Sequence, residues 1–167
     1  MEQSKPDFLY ILRTLSKYEV EYIIVGGVCA VLHGAPISTF DIDLVHSREP
    51  SNLKRLFKAL EELEAYYRDP AGRIIKPKES DLSSPGHQLL MTKGGPLDLL
   101  GEIANGRGYD ELLTNTVTLD ISANFKIRLL NLETLIATKE ETGQEKDKAV
   151  LPILRRTLEE KNKCSGA

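Results

Sequence analysis

The segment Phe40-Asp41-Ile42-Asp43-Leu44-Val45 sets two acids inside an otherwise apolar run. Read as a strand, it must present Phe40, Ile42 and Leu44 to one face and Asp41 and Asp43 to the other, because side chains two apart share a face. Two carboxylates held side by side repel one another and raise each other's pKa unless positive charge lies between them. A hard divalent cation such as Mg²⁺ answers that need, since it takes carboxylate oxygens and keeps positions open for phosphates. A strand of this kind therefore has one core face and one face that opens on a cation.

The residues before it complete the pattern. Glu21 to Val25 is β-branched and aromatic, hence a strand, and Gly26-Gly27 stops it. Val28 to His33 reads as a short helix ending at Gly34, where a left-handed cap costs little. A strand that turns through two glycines into a helix lets backbone N–H groups face an anion, with no side chain blocking a phosphate. Asp98, in Pro96-Leu97-Asp98-Leu99-Leu100, is a third acid in an apolar strand. Should that strand lie beside Asp41, three carboxylates converge. Such a set can hold two metal ions for nucleotidyl transfer, one activating a hydroxyl and one gripping a triphosphate.

Around this centre the chain alternates helices and strands. Apolar spacing predicts a helix over Pro6 to Tyr18 and another over Leu53, Leu56, Phe57, Leu60 and Leu63 with Ser51 as its cap. Arg73-Ile74-Ile75 reads as a short strand. His87 to Thr92 and Leu97 to Ile103 flank Lys93-Gly94-Gly95-Pro96 as a hairpin. Tyr109 to Leu113 reads as a helical turn, and Thr116 to Ile121 and Phe125 to Leu129 as strands. Asn131 caps a helix that Gly143 stops, and Lys146 to Glu160 forms a second, with Pro152 demanding a kink or a late start. The expectation is an α+β (α/β-like) fold: a mixed sheet flanked by helices, core about 5–130, then a C-terminal helical pair over about 131–161, all one domain spanning 1–167.

Composition adds exclusions. A net charge of −3 carries no footprint of a dedicated nucleic-acid binder. Lys54-Arg55 and Arg155-Arg156 read as solvated helix faces. Cys29 and Cys164 offer neither a disulfide framework nor zinc spacing. The opening MEQSKPDF is too polar for a signal peptide, and no apolar stretch approaches the roughly 18 residues of a membrane span, so a cytoplasmic chain is expected. His33 reads as a packing or capping residue. Two other Asp-x-Asp chemistries fit less well: haloacid-dehalogenase phosphatases need a later lysine and acid pair in a longer parallel fold, and glycosyltransferases lack the upstream Gly-Gly.

Gly26-Gly27, Asp41-Ile42-Asp43 and Asp98 together resemble the DNA polymerase β-like nucleotidyltransferase superfamily. Residues 23–45, with Ala30, Gly34 and Thr39, resemble its small bacterial branch, related to abortive-infection toxins. Leu135 to Asp147, with Lys139, Gly143, Lys146 and Asp147, resembles that branch's later lysine-bearing segment. The resemblance implies Mg²⁺ or Mn²⁺ held by Asp41, Asp43 and Asp98, with the same acids catalytic. It implies a nucleotide bound by Gly26, Gly27, Thr39, Lys139 and Lys146. It implies transfer of an NMP from an NTP to a hydroxyl of tRNA, protein or a small molecule, with a cognate antitoxin or a second copy as partner. Ile37 and Gln144 stand where the resembling proteins carry arginines. That departure carries the alternative of a non-catalytic nucleotide-binding or toxin–antitoxin module.

Overall fold

The computed structural model describes residues 5–165; residues 1–4 and 166–167 of the expected domain lie outside them. Asp7 caps helix α1 (Phe8–Lys17), its carboxylate accepting from Tyr10 N, and Ile11, Leu12 and Leu15 supply the buried stripe. Strand β1 (Tyr22–Val25) is buried along its length and runs directly into α2 (Gly26–Leu32). Gly34 then takes the expected left-handed conformation. Strand β2 (Ile42–His46) begins one residue after Asp41. Helix α3 (Pro50–Glu62) follows, then a two-residue edge strand β3 (Tyr66–Tyr67) and the hairpin of β4 (His87–Thr92) and β5 (Gly95–Leu100). After the single turn α4 (Tyr109–Leu112) come β6 (Thr116–Ser122) and β7 (Phe125–Leu130), then α5 (Leu132–Thr142) and α6 (Glu145–Ser165).

Among the described residues the strands form one seven-stranded mixed sheet in the order β3-β4-β5-β2-β1-β7-β6. The β1–β2, β3–β4, β4–β5 and β6–β7 pairs are antiparallel; β2–β5 and β1–β7 are parallel. Ile23, Ile24, Ile42, Leu44, Leu97 and Leu99 are fully or almost fully buried on the central strands. α1 packs on α3, α2 packs on β1 and β2, and α5 packs on α6. No helix among the described residues is long and apolar enough to cross a membrane.

Three expectations are corrected, and for Pro152 one of two alternatives is removed. Ser51 does not cap α3: the helix starts at Pro50, whose fixed φ and missing N–H suit the first helical position. Arg73 to Ile75 form no strand. Asp69 accepts from Ala71 N and Arg73 N and folds this stretch into a turn, while Tyr66–Tyr67 pair with β4 instead. The second hairpin strand ends at Leu100, and Ile103 bridges Arg107 within the following loop. Pro152 sits inside a helix that starts seven residues earlier, at Glu145, so the start is not late.

Candidate active site

Register brings the acids together. β2 and β5 run parallel with Asp43 opposite Asp98, so both carboxylates rise from neighbouring strands on the same face. Asp41 precedes β2 and shares that side, as its spacing from Asp43 requires. The carboxylate oxygens of Asp41, Asp43 and Asp98 lie within 4.8 Å of one another, a set that could hold a metal ion. Asp43 is pushed up to about 7 by burial first, then by the charges of Asp41 and Asp98. Asp41 is raised by burial first, then by the charge and hydrogen bond of Asp98, with Arg68 opposing. These shifts state the same fact as the sequence pattern: the acids are crowded, partly desolvated and short of positive charge.

The two glycines have separate tasks. Gly26 adopts φ +69°, and a Cβ there would fall on the Asp43 Oδ2 oxygen. Any other residue would therefore pay backbone strain and displace a candidate metal ligand. A Cβ on Gly27 would come within 2.7 Å of Thr39 Oγ1. Thr39 in turn donates to the Asp41 carbonyl at 3.0 Å, fixing the residue that enters β2. The Gly-Gly pair thus lets the α2 start press against the acid-bearing strand, a packing reason that stands beside phosphate access.

Helix α5 supplies the opposite wall. Asn131 caps it, accepting from Thr134 N at 2.8 Å, and Gly143 ends it with φ +60°. That left-handed turn folds α6 back so that buried Asp147 accepts from Lys139 Nζ at 3.2 Å and from Thr142 Oγ1 at 2.8 Å. Gly26, Asp43, Lys139, Gln144, Lys146 and Asp147 line one open cavity of about 170 Å³. Leu100, Ile103 and Ala104 close its loop side. Lys139 is near enough to Asp43 to counter part of its pKa rise. The residues expected from two distant stretches of sequence therefore meet, while Thr39 and Gly27 buttress the acids from behind.

Residue 37 does not face this cavity. Ile37 packs against the core and lines a separate apolar groove with Phe8, Leu12, Val28 and Phe40. The cation the sequence does not announce is Arg68, just beyond β3. It donates from Nη1 to Leu90 O at 2.8 Å and from Nη2 to Asp98 Oδ1 at 2.7 Å. The signal for it was indirect: three converging acids require a cation, but a partner thirty positions away follows only from strand order. His33 behaves as expected, donating from Nε2 to Leu130 O at 2.8 Å and accepting at Nδ1 from Lys161. It borders a larger cavity of about 870 Å³ against α6, but the acids do not line it, so size does not locate the chemistry.

Comparisons with known proteins follow the same lines. A candidate nucleotidyltransferase from Thermotoga maritima matches with a TM-score of 0.53 at 17% identity, over 92% of this chain and 93% of that one. The lincosamide antibiotic adenylyltransferase LnuA, with lincomycin bound, matches with a TM-score of 0.58 at 16% identity, over 89% and 94%. At such identities the likeness establishes a nucleotidyltransferase-like fold. No protein-family model and no curated protein sequence matches the chain.

Proposed function

We propose that the protein is a metal-dependent nucleotidyltransferase that moves an NMP from an NTP to a hydroxyl acceptor and releases pyrophosphate. The observation that carries this reading is the convergence of Asp41, Asp43 and Asp98 next to the cavity that Gly26 and Lys139 line. The donor set fits Mg²⁺ or Mn²⁺: all oxygen, anionic, and strained by its own charge without a cation. A divalent ion held by the triad would supply charge stabilisation for the phosphates and acidify the acceptor hydroxyl. Asp98 is assigned to align that hydroxyl and draw off its proton. Gly26 and Gly27 leave room for the β- and γ-phosphates, and Lys139 and Lys146 counter their charge. Asp147 and Thr39 are assigned to hold Lys139 and Asp41 in place.

The whole chain is read as one nucleotidyltransferase-like unit, core about 5–130 and helices about 131–161, at home in the cytoplasm where NTP is abundant. The LnuA likeness supports a small-molecule acceptor ahead of tRNA or protein. The branch related to abortive-infection toxins, with a cognate antitoxin or a second copy as partner, is the finer assignment; residues 23–45 support it. Gln144 favours a second reading, a binding module that retains the fold without turnover, because it lines the cavity where the resembling proteins carry an arginine; Ile37, the other such position, faces the separate groove.

Incubation with each labelled NTP, Mg²⁺ or Mn²⁺, and tRNA, total protein or aminoglycosides tests both. Label on an acceptor with the wild-type protein, absent in Asp41→Ala and Asp43→Ala, is the expected result. Transfer that survives those substitutions overturns the enzyme reading. Nucleotide binding without transfer favours the second.

A further inference from the structure

The cation least anticipated by the sequence has an arrangement that bears on how the site loads. Arg68 is anchored on both sides of β4. Its backbone N donates to Leu89 O at 3.0 Å, its Nη1 to Leu90 O at 2.8 Å, and its Nη2 reaches Asp98 Oδ1 on β5 at 2.7 Å. Leu89 is the register partner of Asp98, so the side chain crosses one strand to meet its acid. Both partners are shielded, with side-chain exposures of 30% and 12%, which makes this pair stronger than a surface ion pair. Asp41 and Asp43 have no comparable ion pair among the described residues; Asp98 alone of the three is held by a guanidinium.

We propose that Arg68 is a built-in counter-ion that reserves Asp98, so that the nucleotide-free protein takes one divalent ion at Asp41 and Asp43 and a second only with the triphosphate. This rests on the metal-dependent reading above. Charge supplies the argument. With Arg68 on Asp98 and Lys139 already paired with Asp147, a first divalent ion brings the cluster to neutrality, and a second meets the repulsion of the first with no carboxylate charge left to offset it. A nucleoside triphosphate brings the anionic charge that removes the repulsion. Arg68 is thus a positioning residue for Asp98, and its charge links metal loading to substrate.

Calorimetric titration of the metal-stripped full chain with Mn²⁺ alone, checked by electron paramagnetic resonance of unbound Mn²⁺, tests the proposal. Wild type is expected to take one ion per chain. Arg68→Gln, whose amide can still donate to Leu90 O, is expected to take two, the second at least tenfold tighter than any second ion in wild type. Arg68→Lys, which keeps the charge, should return to one ion. Arg68→Gln combined with Asp98→Asn should lose the second ion again. Thermal melting of each variant separates folding from binding. Two ions in nucleotide-free wild type, or an Arg68→Gln count and affinity equal to wild type, overturn the proposal while leaving the metal site standing. Absence of Mn²⁺ binding in every variant removes both the proposal and the metal reading beneath it.

Discussion

Asp43 concentrates the tension of the site. It sits between Val25 and Asp98 in register, with Gly26 pressed on its carboxylate and Asp41 and Asp98 within ligand distance. Its pKa rises from the ordinary 3.8 to about 7, so the metal-free folded state holds a proton that the unfolded chain releases. Stability then falls as pH rises wherever the native state binds more protons, here from about 4 through about 7. Denaturant melts in chelator should show a loss on the order of a few kcal/mol across that window. Asp43→Asn should flatten the slope. Saturating Mg²⁺ should reverse it in wild type, because the ion competes with the proton for the same oxygens. A slope unchanged by Asp43→Asn would mean that the crowding is relieved elsewhere.

The helical pair carries the next scale. Asn131, Gly143 and Asp147 turn a strand end into a helix, reverse the chain, and bring the first turn of α6 back on Lys139. Removing the cap by Asn131→Ala should cost about 1 kcal/mol, measured by chemical denaturation, because Thr134 N loses its acceptor. A cost near zero would show the α5 start held by packing alone. This element was legible because each signal was local: a capping side chain, apolar spacing, then a glycine able to take φ > 0. The same holds for β1, α2 and β2, where strand, glycines and alternating acids each bear on a few neighbouring residues. What the sequence hid was long-range or competitive. Pro50 outcompeted Ser51 for the start of α3. Asp69 drew Arg73 into a turn, against the β-propensity of Ile74 and Ile75. Arg68 became part of the site only because β3 adds to the sheet edge beyond β4 and β5. Lys139 and Lys146 came from the resemblance, since lysines on a helix carry no spacing signal of their own; the turn at Gly143 put them in one cavity with Asp43.

At the scale of the molecule, the candidate site joins two parts that the sheet order separates. The acids belong to β2, β5 and the residue preceding β2, in the centre of the sheet, whereas the lysines belong to α5 and α6, which follow β7 on the far side of β1. A ligand that spans the cavity bridges these parts, and its binding should register as stability of the whole. At a hundred times its dissociation constant, a ligand adds about 2.7 kcal/mol to unfolding. For a chain of this size that is a rise in Tm of about 5–10 °C. NTP with Mg²⁺ should produce it in a thermal melt; NTP with chelator should produce little, because the triphosphate then meets uncompensated carboxylates. Asp43→Asn should lose most of the shift by removing a cation ligand. Lys139→Ala should reduce it without abolishing Mg²⁺ binding, since Lys139 faces the cavity from α5, is assigned to phosphate and is not among the three acids. Should Lys139→Ala keep the full shift, α5 and α6 would be scaffolding and the nucleotide would lie on the sheet alone. Should Asp43→Asn keep it, the triad would not be where the nucleotide's metal binds. The two variants thus test the two walls of the cavity independently, with a readout that needs no knowledge of the acceptor.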